Sequence, residues 1–251
     1  MEEGFSYAAM VYTNVCIFMN TKPLKKFRGF FVFVMYDACL KQNGGTNMNK
    51  TTGTKKKGFT VNMITKIALL SAAAGVLMLF EAPLWFAPSF YKLDLSELAV
   101  LIGGLTMGPV AAALIELMKI LLNFVLNGTI TGGVGELGNL IVGCAFVVPA
   151  AFVYQKWHSK KGMIAGMAAG IVCLVALGSV VNYFVLLPVY SVVYGQPLEA
   201  FVAMGHALNP AIIDLKTFIL YAVAPFNLLK GVLISILTAL LYNRIGKYLE
   251  K

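Results

Sequence analysis

"APFNLLKG" at residues 224–231 runs directly into "VLISILTALLY" at 232–242, a stretch apolar enough for the middle of a bilayer. Two residues interrupt it, the amide Asn227 and the ammonium Lys230, three positions apart. At 3.6 residues per turn this spacing places both on one helix face. A lysine at the centre of a bilayer costs about 2.5–3.5 kcal/mol on insertion scales. Lys230 must therefore sit near a helix end, have a partner, or face a polar cavity.

The rest of the chain sets the scene for that choice. Of 251 residues, 59% are hydrophobic and only 12% charged, against about 25% charged in soluble domains. So much apolar length points to a polytopic membrane protein embedded in a lipid bilayer. The net charge of +9 is concentrated at one end: residues 1–66 carry +7 and residues 67–251 carry +2. A basic flank beside apolar spans reads as a cytoplasmic tail. No folded unit interleaves that basic run with aromatics, which excludes nucleic acid as a partner. Cys16, Cys39, Cys144 and Cys173 form no CxxC pair and lie far in sequence from His158 and His206, so neither a metal site nor a disulfide framework is expected.

Residues 1–62 read as a separate region. "FRGFFVFVMYDACL" is too short to span, and "KQNGGTNMNKTTGTKKKG" is polar and suited to disorder. The region is expected to be a basic, disordered tail or an over-extended reading frame that truly starts at Met48 or Met63. Residues 63–251 form the membrane domain, with six apolar segments at about 64–80, 95–106, 109–126, 137–154, 163–187 and 222–242. The second is short and broken by glycines. The basic loops "TKKKGFTVNMITK", "QKWHSKK" and "NRIGKYLEK" fall on one side, which places both termini in the cytoplasm. The fold expected is an all-α membrane protein of six transmembrane helices.

Polar and aromatic residues gather on the outer side. "FEAPLWFAPSFYKLDLSEL" carries Trp85, Phe86, Phe90 and Tyr91 between Pro83 and Pro88, then Lys92, Asp94 and Glu97. Two prolines stiffen such a connection, and its rings fit either an interfacial belt or a lid over a flat ligand. Asn182 is a lone amide in "VVNYFVLLPVY" and needs a partner, either a neighbouring helix or a ligand. Glu116, Lys119 and Asn123 share a face of the third segment, where a Glu–Lys pair can neutralise itself. "GGVGELGN" has GxGxxG spacing but no preceding strand, so it reads as a loop entering the fourth helix, with Glu136 and Asn139 at its mouth. Ala68 and Ala72 lie four apart in the first helix, a spacing that lets another helix approach closely. No Walker loop, GxSxG or HExxH occurs, so the chain carries no ATP site of that kind and no recognisable catalytic set.

Taken in order, "LFEAPLWFAPSFYKLDLSEL", "GPVAAALIELMKILLNF", "NYFVLLPVY" and "APFNLLKG" resemble the riboflavin-specific S components of energy-coupling factor (ECF) vitamin importers. The resemblance covers residues 63–251. It implies a six-helix subunit of a prokaryotic cell membrane, neither an enzyme nor a holder of a bound cofactor. Such a subunit captures riboflavin from outside and works with a transmembrane scaffold subunit and two ATPases. It also implies that Asn182, Asn227 and Lys230 hydrogen-bond the vitamin, that the loop at 90–94 closes over it, and that Ala68 and Ala72 face the scaffold. Trp85, Glu136 and Asn139 complete the candidate site. The stretch "SVVYGQPLEAFVAMGHALNPAIIDLKTF" departs from the family by its length and bears on the outer gate. The rival readings are an S component for folate or thiamine, a lipid enzyme using Glu116, Glu136 or Asp214, and a facilitator that works without ATPases.

Overall fold

The computed structural model describes residues 61–88, 90–129 and 131–249, with side chains through Tyr242. The basic tail at residues 1–60, with Cys16 and Cys39, lies outside the described residues. Of the stretch Met1–Ile64, only 61–64 are described, as the first turn of helix α1.

Helix α1 (Val61–Met78) leads to a two-residue hairpin, β1 (Ala82–Pro83) with β2 (Lys92–Leu93), paired antiparallel with Ala82 opposite Leu93. Then follow α2 (Ser96–Met107), α3 (Pro109–Asn127), α4 (Val134–Lys156) and α5 (Lys160–Val181). A widened π-type turn at Asn182–Leu186 carries α5 on into α6 (Leu187–Tyr194). After α7 (Leu198–Leu208) and the short α8 (Leu215–Phe218), a second π-type turn, Ile219–Val223, leads into α9 (Ala224–Leu249). Among the described residues, five stretches are long and apolar enough to cross a membrane: Val61–Met78, Pro109–Asn127, Val134–Lys156, Lys160–Tyr194 and Leu215–Tyr242. Helix α2 has 12 residues, about 18 Å at 1.5 Å per residue, short of the roughly 30 Å hydrocarbon core.

The most extensive packing is between α4 and α5, with α2, α3 and α9 completing the bundle. Glycines set the closest approaches. The second segment is a continuous helix rather than a broken one. A side chain at Gly103 would stand 2.3 Å from the Ile115 Cδ1, and one at Gly104 would stand 2.9 Å from the Ala112 Cβ. These glycines let α2 and α3 touch, and neighbouring helices offset their low helix propensity. Gly166 and Gly170 do the same for α5 against the α4 backbone at Ala150 and Phe146.

The fifth span also runs further than the 163–187 expected, ending at Tyr194. A proline inside a regular helix clashes with the carbonyl four residues back. Here Pro188 follows the turn Asn182–Leu186 and Pro225 follows Ile219–Val223. Each widened turn accommodates the proline behind it, so the helix bends instead of stopping. The long outer stretch is not loose either: Phe201 and Gly205 of α7 are buried, and Gly205 lies where a side chain would strike Phe218.

Candidate functional site

On α9, Asn227 is 5% exposed and Lys230 half-buried, while Leu228 and Leu229 between them face outward at 50% and 41%. Asn227 and Lys230 thus share the inner face of the helix. Lys230 Nζ lies 3.0 Å from Asp94 Oδ2 and 4.0 Å from Glu97 Oε1. Of the three alternatives the sequence posed, Lys230 meets two: it has a partner and it lines a cavity. That cavity, of about 10 Å³, is bounded by Glu97, Asn139, Val142, Gly143, Phe146, Leu174 and Lys230. Its volume is that of roughly one water molecule.

Asp94 is positioned by the start of α2, where its Oδ1 accepts from the Ser96 backbone N–H at 2.9 Å and from the Ser96 hydroxyl. Burial by itself would push its carboxyl up, but the Lys230 and Lys119 ammoniums and the Ser96 hydroxyl hold it well below the usual carboxylate range. The charges continue inward. Glu97 Oε1 accepts from Lys119 Nζ at 2.9 Å, and Lys119 Nζ lies 2.8 Å from Glu116 Oε1. Asp94, Lys230, Glu97, Lys119 and Glu116 therefore form a ladder of alternating sign running from the outer loop into α3. The expected Glu116–Lys119 pairing exists, and Glu97 of α2 joins it. Asn123, placed on that face in the sequence, instead accepts from Asn127 near the exposed end of α3. Gly143 of α4 makes room for the ladder, since a side chain there would fall 2.1 Å from Glu116 Oε1.

The second polar anchor is neutral. Asn182, 4% exposed, sits at the start of the first π-type turn. Its Nδ2 donates to the Gly178 carbonyl at 2.8 Å, and its Oδ1 accepts from the Tyr91 hydroxyl at 2.6 Å. Burial, then the neighbouring Tyr190, push the Tyr91 phenol well above its ordinary range, so it remains a donor. Asn227 lies across from the same glycine: a side chain at Gly178 would stand 2.6 Å from its Nδ2. The Asn227 side chain makes no hydrogen bond among the described residues. Gly178 thus serves both amides, and sequence reasoning missed it. The available signal was its position, four residues before Asn182 in a helix.

Aromatic rings close the hairpin side. Tyr91 packs 5.4 Å from Phe226 and 4.6 Å from Phe90, and Phe90 stands edge-on to Phe201 of α7 at 5.7 Å and to Tyr190 of α6 at 6.2 Å. With Leu187, Ile212 and Phe218 these rings form one apolar cluster.

The structure thus brings together Asn182, Asn227, Lys230, Phe90, Tyr91, Asp94 and Asn139, though Asn139 is largely exposed. It places three candidates elsewhere. Trp85 is 87% exposed and packs edge-on to Phe86. Lys92 pairs with Glu81 at the surface, across the base of the hairpin. Glu136, in the first turn of α4, accepts from the Thr129 hydroxyl in the preceding turn at 3.1 Å. Asp214 is exposed and caps α8 by accepting from the Thr217 hydroxyl at 2.6 Å and the Thr217 N–H at 2.7 Å, which hold its carboxyl below its usual range. Gly133, at φ +91°, begins α4, and Gly138 packs on Leu186, which gives the glycine run a structural role. Ala68 and Ala72 both lie on the exposed face of α1. Cys144 and Cys173 are free thiols, and no cluster of metal ligands occurs among the described residues.

Comparison with known proteins follows the same outline. The chain is 30% identical over 194 residues to the riboflavin transporter FmnP of Bacillus subtilis (strain 168), covering 76% of this chain and 95% of that one. It is 33% identical over 185 residues to the riboflavin transporter RibU of Staphylococcus aureus (strain TCH60), covering 74% and 90%. A solved structure, described as the S component of a bacterial ECF transporter, superposes with a TM-score of 0.58 at 31% identity, over 75% of this chain and 98% of that one. Residues 62–242 match the family model for the ECF transporter substrate-specific component. With its bundle of membrane-length helices, the chain belongs to the family of substrate-specific components of ECF transporters, membrane transport subunits rather than enzymes.

Proposed function

We propose that this chain binds riboflavin from outside the cell and delivers it inward, using an ATP-driven coupling module. The observation that carries this reading is that Asn227 and Lys230 share one face of α9 while the loop at 90–94 meets both polar anchors, Tyr91 at Asn182 and Asp94 at Lys230, with Tyr91 packed on Phe90 and Phe226. Its support is the similarity to two riboflavin transporters over nine-tenths of their lengths. Riboflavin has a flat tricyclic ring suited to aromatic faces and a ribityl chain whose hydroxyls need partners. Amides and an ammonium in a dry site supply those partners, and a buried polar group left unpaired is costly. Residues 67–251 contain one arginine, Arg244 near the C-terminus, so no arginine cluster favours a phosphorylated flavin.

In this reading α2, with the hairpin before it, counts as the sixth span, and both termini are cytoplasmic by the positive-inside rule. Residues 1–62 form a basic tail ahead of the domain at 63–251, and the protein lies in the plasma membrane of a prokaryote. The exposed Ala68 and Ala72 are the contact for a transmembrane scaffold that carries two ATPases. Ala68→Trp should abolish co-purification with the scaffold and leave riboflavin affinity unchanged; a complex that forms normally would remove that surface from consideration.

The decisive experiment is titration of the purified protein with riboflavin, thiamine and folate, followed by flavin fluorescence and calorimetry. Riboflavin should bind and the others should not. Binding of thiamine or folate with no response to riboflavin overturns the reading.

A further inference from the structure

Glu97 lies outside the set singled out above for the vitamin, yet its surroundings mark it. It stands in the first turn of α2 and is 4% exposed. Its Oε1 takes the Lys119 ammonium at 2.9 Å and lies 4.0 Å from that of Lys230. Its Oε2 is buried and has no hydrogen-bond partner in the structure. The residue also lines the small cavity with Asn139, Gly143 and Lys230. A buried carboxylate with one oxygen gripped by lysine and the other unpaired is an acceptor awaiting a donor. Gly143 strengthens the point, because a side chain there would stand 3.1 Å from Glu97 Oε1 and crowd this corner.

We propose that Glu97 is a specificity-determining contact, its Oε2 accepting a hydrogen from a neutral N–H or O–H donor of the bound molecule. This rests on the riboflavin reading above. Riboflavin has such donors in two places, the imide N–H of its ring, flanked by carbonyls, and the ribityl hydroxyls. Lys230 beside Glu97 supplies a donor next to an acceptor, the complement of a carbonyl next to an N–H. A site built around a buried acceptor discriminates strongly against an analogue that lacks the donor, because the acceptor is then left unpaired. It also turns away an anion, since two acceptors cannot share a hydrogen neither carries.

The test measures binding of three flavins to the full-length protein in detergent by fluorescence quenching: riboflavin, 3-methylriboflavin (imide hydrogen replaced) and lumiflavin (no ribityl chain). Glu97→Gln puts an amide donor where the acceptor was. It should weaken riboflavin at least tenfold, while the penalty vanishes for the analogue lacking the donor in question, which also tells the imide from the hydroxyls. Glu97→Asp, which keeps the charge beside Lys119, should show the same pattern more mildly and serves if Glu97→Gln does not fold. Equal losses for all three flavins, the mark of structural damage alone, or no loss for riboflavin, overturn the assignment while the riboflavin reading stands. Wild-type protein that binds no flavin would remove both.

Discussion

The two polar anchors of the site are built on opposite principles. At Lys230 the loop is held by charge: Asp94 pairs with the ammonium at the outer end of a five-member ladder. At Asn182 it is held by a neutral phenol–amide hydrogen bond under aromatic rings. Removing one partner of a buried charged pair leaves the other uncompensated, while losing a neutral hydrogen bond costs about 1 kcal/mol. The ionic anchor therefore carries stability, and in the proposed site the amide anchor can exchange its partner at little cost. In the proposed site a vitamin hydroxyl, which can donate to Asn182 Oδ1 as Tyr91 does, replaces Tyr91 far more readily than any vitamin group replaces Asp94 on Lys230.

That contrast is open to attack in order of size. Lys119→Met strands Glu116 without a cation, leaves Glu97 only the Lys230 ammonium at 4.0 Å, and should destabilise the protein by about 3–5 kcal/mol, visible as a large drop in thermal midpoint in detergent; a shift of only a degree or two would mean the ladder is not a structural unit. Next, Lys230→Ala and Asn227→Ala should each weaken riboflavin at least tenfold, about 1.4 kcal/mol, with expression intact. Unchanged affinity in both by calorimetry would refute the site. Smaller still, Tyr91→Phe removes only the hydroxyl and should change affinity by no more than about 1 kcal/mol, with a faster association rate because Asn182 is released. A loss as large as that from Lys230→Ala would erase the distinction between the anchors.

The last test expects nothing to happen across a wide range. Asp94 is held below its ordinary range in the folded chain, so its contribution is present above the unfolded value of about 3.9 and disappears only as pH falls through the lowered folded one. The difference in thermal midpoint between wild type and Asp94→Asn should therefore stay constant from about pH 8 to pH 5. A difference that had already collapsed near pH 6 would show that Lys230 does not govern Asp94.

Much of this arrangement was legible beforehand, and for a physical reason: in a membrane-length helix every polar residue is conspicuous. Asn182, Asn227 and Lys230 stood out against leucine and valine, and the three-residue spacing placed Asn227 and Lys230 on one inner face, as found. Partners were harder to read. Nothing local ties Tyr91 to Asn182, 91 positions away, or Asp94 to Lys230, 136 positions away, and Glu97 looked like an ordinary first-turn acid. Trp85, Lys92 and Glu136 had the right chemistry but lie on the hairpin and in the first turn of α4, where side chains find other partners instead. Glycine misled once, at Gly103 and Gly104, because a helix breaker and a close-packing residue look identical until the neighbouring helix is known.

The corner between Glu97 and Lys230 admits about one water molecule, whereas sites for molecules of drug size enclose roughly 300–1,000 Å³. On the proposed reading, in which the loop at 90–94 covers the vitamin, entry waits for that loop to open, and the waiting time belongs to the protein. In a stopped-flow experiment the observed rate should level off at high vitamin concentration, at a plateau that reports the hinge frequency of the loop instead of diffusion.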